Sequence, residues 1–341
     1  MKRFVNLGLL MSLLLVFLAA CGSNQPAEGG DGKAKHAVVF KNTGNPYGEK
    51  EMEGFKNAIE DLGGEAILRA PDDPSVEDQV KIIEELISQQ VDSIAVVAND
   101  YDGLEPALKK AMNKGIKVLS LDSAVNGDSR MVHVNQADPE AIGRTQIEAV
   151  SEMIDGKGQI AILSATSQAS NQNLWIEWMK KELEKPEYKD IELVKVAYGD
   201  DLRDKSVSET EALLQSYPDL KAIVAPTTVG IAAAAKVITD KGLIGDVVVT
   251  GLGLPSEMAA YIENGATPWM YLWNPLDVGY LAGHASHSLV EGDITGEAGD
   301  KFKAGELGEY EIIEGEDGTE ILLGDPFRFD KENIEEWKEI Y

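Results

Sequence analysis

Cysteine occurs once in the 341 residues, at Cys21, which excludes a disulfide within the chain and a cysteine-ligated metal site. Histidine is nearly as scarce, with four in all; His284 and His287 lie three apart on a predicted helix, but no other His or Cys is spaced to complete a metal set. Basic residues are outnumbered 31 to 59 by acidic ones, and the formal net charge is −28. That excess argues against nucleic acid and against electrostatic binding to anionic lipid, and suits a self-repelling extracellular surface. There is no G-x-x-x-x-G-K-S/T phosphate loop and no G-x-S-x-G nucleophile elbow. Gly251-Leu252-Gly253 lacks the third glycine of a dinucleotide fingerprint. Beyond residue 20 no apolar run is long enough to span a bilayer. No cofactor is therefore expected, and an enzyme is disfavoured.

Residues 1–20 read as a secretory leader, with Lys2 and Arg3 ahead of an apolar stretch from Phe4 to Ala20 that ends in small residues. Leu18-Ala19-Ala20-Cys21 resembles the lipobox of bacterial lipoproteins. The resemblance implies diacylglycerol on Cys21 and cleavage before it, and two acyl chains anchor stably where one does not. A plain export signal with a chance cysteine and a membrane-spanning helix are the alternatives. Losing Lys2 and Arg3 with the leader takes the net charge to −30. Residues 21–35, polar and rich in glycine, read as a flexible tether.

From His36 onward strands and helices alternate. Ala37–Lys41, Ala66–Arg69, Ser93–Ala98 and Lys117–Leu121 are short apolar strand candidates. Helical spacing of Met52, Phe55, Ile59 and Leu62, then of Val80, Ile83, Leu86 and Ile87, separates them, with Ser75 as an N-cap. The pattern restarts after Val132–Asn135 and runs through strands near 159–163, 193–198, 222–225, 247–251 and 270–273. The expected fold class is α/β: two doubly wound parallel-sheet lobes joined by a multi-segment hinge. Expected boundaries are 36–135 plus 275–305 for the first lobe and 136–273 plus 306–341 for the second. Crossings are expected near Asn135–Gln136, near Trp273–Asn274, and at a third place within 300–325.

Open parallel sheets bind ligands beyond the carboxyl ends of their strands, near the point where strand order reverses. The residues at those ends are Lys41, Asn42 and Asn45, Asn99 and Asp100, then Asp122 and Ser123 in the first half. In the second half they are Ser167 to Asn173, which includes Asn171 and Gln172, then Pro226, Thr227 and Thr228, then Gly253, then Trp273 and Asn274. Most are neutral hydrogen-bonding groups or aromatics. Carboxylates and amides pair with hydroxyls, and an aromatic face covers a sugar's C–H surface, so the set fits a neutral polyhydroxylated ligand. Each alone also fits a local role: Asn42–Pro46 as a turn, Asn171 as an N-cap, Asp122 as a turn closer. Trp175 and Trp178, at i and i+3, read as core residues.

Leader, tether and two α/β lobes together resemble the type I solute-binding proteins of bacterial ABC importers. Lys41-Asn42-Thr43-Gly44-Asn45-Pro46-Tyr47 is similar to the first-strand motif of the sugar-binding members. Ile162–Thr166, Asn171–Ile176, Tyr198–Leu202, Ala225–Gly230 and Gly251–Met258 look like the rhamnose-binding receptors. The receptors for autoinducer-2 are the next resemblance. Their ligand-holding lysine and aspartate are matched by Lys41 and Asp122. Their Asp-Gln pair becomes Asn171-Gln172, and the alanine two residues after their proline becomes Thr228 after Pro226. Both departures favour a ligand with more hydroxyls. Ribose is disfavoured, because the late aspartate of ribose-type relatives is Gly253 here and their hinge-side glutamine falls near Trp273.

The resemblance implies a monosaccharide, rhamnose foremost, trapped by hinge closure, with Tyr47 or Trp273 against its methyl group. It implies ABC permease subunits as partners, a membrane contact through lipid on Cys21, and an extracytoplasmic, lipid-anchored monomer with no nucleic-acid partner. An autoinducer-2 receptor, or a sugar sensor feeding a membrane signalling protein, remains the alternative.

Overall fold

The computed structural model describes residues 32–341. The leader, Cys21 and most of the tether fall outside the described residues. Lys33–Tyr341 forms one compact unit.

The first half contributes β1 (Lys35–Val39), α1 (Pro46–Asp61), β2 (Glu65–Arg69), α2 (Val76–Ser88), β3 (Ser93–Val96), α3 (Glu105–Asn113), β4 (Lys117–Leu121) and β5 (His133–Asn135). Lys35, assigned to the tether from sequence, already belongs to β1: its amide donates to Asp92 Oδ2 at 2.7 Å and it pairs with Glu65. Ser75 caps α2, accepting from the Asp78 amide at 3.2 Å.

The second half contributes α4 (Pro139–Met153), β6 (Gly158–Ser164), α5 (Ser170–Leu183), β7 (Ile191–Tyr198), α6 (Arg203–Ser216), β8 (Leu220–Ala225), α7 (Thr228–Asp240), β9 (Val248–Gly251), α8 (Pro255–Asn264) and β10 (Met270–Leu272). Then come α9 (Pro275–Glu291), β11 (Lys301–Lys303), β12 (Glu309–Glu311), β13 (Ile313–Glu314), β14 (Thr319–Leu322), β15 (Phe327–Phe329) and α10 (Ile334–Trp337).

Two sheets result. One runs β13-β14-β5-β4-β3-β1-β2, parallel except for β13; the other runs β7-β6-β8-β9, wholly parallel. Strand order reverses at β1 in the first sheet and at β6 in the second, so the carboxyl ends of those strands flank the crevices that such sheets provide. Helix α9 returns to the first lobe and lies along α1. The two backbones touch: a Cβ on Gly54 would sit 2.0 Å from the Leu276 carbonyl oxygen, and one on Gly279 1.8 Å from that of Glu51. Only glycine permits that approach, which seals Phe55 and Ile59 completely. Each such side chain contributes roughly 1.5–3 kcal/mol.

The chain passes from the first sheet to the second lobe after β5 and returns between β10 and α9. It passes over once more between Leu322 and Phe327, since β14 pairs with β5 whereas β15 pairs with β10. Residues 313–322 therefore belong to the first lobe's sheet, which corrects their expected assignment to the second. The cause is nonlocal: β14 reads as a strand only because β5 leaves an edge to be covered. The first and third passages are joined by the Leu323 amide, which donates to the Asn135 carbonyl at 2.9 Å. No helix among the described residues is long and apolar enough to cross a membrane.

Candidate functional site

Beyond β1 the chain delivers Phe40 and Lys41 to the crevice, and beyond β4 it delivers Asp122. Asp122 has φ +54, a left-handed conformation that aspartate tolerates better than most residues. Lys41 Nζ lies 3.3 Å from Asp122 Oδ2, with the two side chains 8% and 6% exposed. The other carboxylate oxygen accepts from Asn171 Nδ2 at 3.1 Å. Asn171 stands in the first turn of α5, so Asp122 is the point where the two lobes meet. Ser170 Oγ makes a second bridge, donating to the Ala124 carbonyl at 2.9 Å.

The opposing wall comes from the second sheet. Gln172 Oε1 accepts from Ser164 Oγ at 2.7 Å and from the Ala165 amide at 2.8 Å, which ties it to the end of β6. Asp201, left-handed at φ +53 just past β7, accepts from Thr227 Oγ1. Thr227 in turn caps α7. On the hinge side Trp273 Nε1 donates to the Tyr47 hydroxyl at 2.7 Å, and Trp175 meets Trp273 edge-on with centroids 5.8 Å apart. Phe40, Tyr47, Trp175 and Trp273 thus give an aromatic lining to a cavity of about 40 Å³.

The cavity holds several carboxyls around one ammonium. Burial raises the Asp201 carboxyl above its ordinary range, with Lys41 opposing. Glu51, on α1 behind the cavity, is fully buried, and neither of its carboxyl oxygens has a hydrogen-bond partner among the described residues. Burial, reinforced by the Asp122 charge, pushes it well above the carboxylate range, with Lys41 again opposing. Burial first, then Glu51 and Asp122, likewise raise the Tyr47 phenol. The site is consequently rich in hydrogen-bond acceptors, with Lys41 as its single cation, which is suited to holding hydroxyl groups.

Of the residues expected at the site, Lys41, Asn45, Tyr47, Asp122, Asn171, Gln172, Pro226, Thr227, Thr228 and Trp273 line this cavity. Asn45 also caps α1, accepting from the amides of Tyr47 and Gly48. Four expected residues are placed elsewhere. Asp100 closes a turn, accepting from the amides of Asp102 and Gly103; Asn173 donates to the Ser167 carbonyl; Asn274 caps α9. Gly253 is a packing position, where an added Cβ would lie 2.5 Å from Met270 Sδ. Phe40, Trp175, Asp201, Leu252 and Leu272 line the cavity although none of them is among the expected site residues. Asp201 was accessible to the same strand-end rule, since it follows β7 by three residues. Trp175 is buried as a core residue would be, yet it forms part of the wall. His284 and His287 form no metal set, and no group of three His, Cys, Asp or Glu able to hold a metal ion occurs among the described residues.

A crevice closed by strand ends from two lobes, with a buried carboxylate where they meet, defines a two-lobed small-molecule binding protein. The chain belongs to the periplasmic binding protein domain family, whose signature matches residues 36–294. It is 49% identical to an ABC transporter solute-binding protein from Clostridium phytofermentas solved with bound L-rhamnose; the match covers 91% of this chain and 99% of that one, with a TM-score of 0.89. LsrB from Clostridium saccharobutylicum in complex with AI-2 has the same fold, at 22% identity, TM-score 0.84, and coverage of 89% and 99%. The D-allose-binding periplasmic protein of Escherichia coli K12 is 24% identical over 259 residues, 72% of this chain and 81% of that protein. The chain is accordingly an extracytoplasmic sugar-binding protein of an ABC transporter, not an enzyme.

Proposed function

We propose that the protein captures a monosaccharide, L-rhamnose foremost, between its lobes and presents the closed form to an ABC permease. The observation that carries this reading is the Lys41–Asp122–Asn171 chain of contacts, which joins the lobes inside an aromatic-lined cavity. A sugar hydroxyl seated there gains partners from both lobes only when they are together, so binding and closure favour each other. Phe40, Tyr47 and Trp273 supply the apolar contact that a 6-deoxy sugar's methyl group needs. A hydroxymethyl in its place would leave a polar group unpaired and lose affinity. The L-rhamnose complex of the Clostridium phytofermentas relative supports this choice. Asn171 and Thr228, at positions where the autoinducer-2 receptors' pattern has aspartate and alanine, favour the more hydroxylated ligand. Calorimetry decides: L-rhamnose should give saturable heat, whereas no heat with L-rhamnose and clear heat with autoinducer-2 would reverse the assignment.

We further propose that lipid on Cys21 anchors a monomer to the cell membrane and that residues 22–34 act as its leash, raising the effective concentration of sugar-loaded protein at the permease. Cys21→Ser should abolish labelling by a radioactive fatty acid and leave the chain unprocessed or released. A labelled Cys21→Ser product would refute the anchor.

A further inference from the structure

A second and larger cavity, of about 240 Å³, adjoins the first. Asp122, Asn171 and Trp175 line both, so the partition between them consists of one hydrogen bond across the lobes and one indole ring. We propose that this second cavity is a subsite for a further neutral sugar ring, so that the cleft takes a rhamnosyl disaccharide as well as the single sugar. The inference rests on the monosaccharide reading for the first cavity.

The cavity is a built one. Its outer wall is the turn between β13 and β14, which Arg130 fastens by donating to the carbonyls of Thr319, at 2.6 Å, and Asp317. Asp317 in turn accepts from the Gly127 amide at 2.6 Å and from the Tyr101 hydroxyl. The inner wall is α5, where Leu174, Trp175 and Trp178 present one apolar surface of the kind that covers sugar C–H groups. Between the walls His133 is 5% exposed and lines the cavity; Ser120 Oγ holds its Nδ1 at 2.9 Å, and its ring has no other hydrogen bond among the described residues. A buried, neutral imidazole with one nitrogen spoken for leaves the other for a ligand hydroxyl. Asn135 and Glu320, joined at 3.1 Å, and Asp138 add further groups able to pair with hydroxyls. An anionic second ring is disfavoured. The only cationic side chain lining the cavity is Arg130, whose donors are engaged by carbonyls, whereas six carboxylates line it.

The linkage follows from the partition. A substituent on the first ring reaches the second cavity by displacing the Asn171 amide from Asp122, and its glycosidic oxygen and hydroxyls replace that hydrogen bond. Trp175, common to both cavities, stays beneath the junction.

Calorimetry on the purified protein with L-rhamnose and with an α-L-rhamnopyranosyl-rhamnose disaccharide tests the proposal. Both should bind the wild type. Trp178→Ala should weaken the disaccharide about tenfold and leave L-rhamnose within twofold. Leu174→Trp, which fills the second cavity, should block the disaccharide and spare the monosaccharide, and a thermal melt in L-rhamnose verifies that each variant folds. L-Rhamnose binding without disaccharide binding overturns the second subsite and leaves the sugar reading standing. Equal effects of both substitutions on both ligands also overturn it. No heat from either sugar overturns both readings.

Discussion

Replacing Lys41 should damage the protein more than replacing Asp122, although the two form a single ion pair. At an effective dielectric constant of about 20, opposite charges 3.3 Å apart attract by about 5 kcal/mol before desolvation is set against them. Both side chains are more than nine-tenths buried, so that desolvation is large and the net coupling should fall to about 1–3 kcal/mol. The single variants differ because the surroundings are lopsided. Asp122→Asn keeps an oxygen for Asn171 and tolerates φ +54, and it leaves Lys41 facing Glu51 and Asp201. Lys41→Met leaves three carboxyls with no cation among them, which approaches the ~3–5 kcal/mol cost of stranding a buried charge. We therefore expect about 2 kcal/mol for Asp122→Asn and about 3–4 kcal/mol for Lys41→Met, with the double variant well short of their sum. Urea unfolding of all four proteins at pH 7, followed by tryptophan fluorescence, measures each term. A coupling below about 0.5 kcal/mol, or an Asp122→Asn variant less stable than Lys41→Met, would refute this account of the cluster.

Two further predictions concern pH. Glu51 sits well above its unfolded value, so the native state takes up a proton that the unfolded chain releases, and stability falls as pH rises from about 4.3 through the native value. Glu51→Gln should therefore stabilise by about 1–3 kcal/mol at pH 8, with the gain vanishing near pH 4; a gain that is the same at both would contradict it. His36 is lowered to about 4 by burial and then by His287, with Asp92 opposing; His133 is lowered to about 3 by burial and then by Arg130. Both are below the unfolded value of about 6.5, so their contribution is complete above that pH and is lost on acidification, down to about pH 4 and pH 3 respectively. At about 1.36 kcal/mol per tenfold change in proton affinity, His36 alone accounts for about 3 kcal/mol. His36→Gln should flatten acid unfolding between pH 6.5 and 4, and an unchanged midpoint would count against the argument.

Much of the cleft could be read from the chain because parallel α/β sheets place their chemistry where each strand ends. Lys41, Asp122 and Thr227 are each legible from the strand they follow, whichever strands are neighbours. The rule identifies a position and not a direction. Asp100 and Asp122 both follow strands of the first sheet, yet Asp100 turns back on its own loop while Asp122 faces the other lobe. Trp175 could not be told from a core residue, because the wall of a closed cleft is as buried as a core. Phe40 and Leu272 are ordinary strand-end hydrophobes until an opposing lobe makes them a pocket lining. The segment after α9 is the least readable: β14 is four residues long and acquires its place only by pairing with β5, whose His133 stands in register with Glu320 although 187 residues separate them.

The α/β alternation, the two-lobed class and most of the polar groups that line the cleft are written locally in the chain, since periodicity and strand-end chemistry are local properties. Tertiary structure alone decided which of those groups converge. The fold sets Asn171 against Asp122, gathers three carboxyls around one lysine, and leaves a second cavity beside the first. Each of these depends on the distance between segments far apart in the chain, which no local pattern encodes.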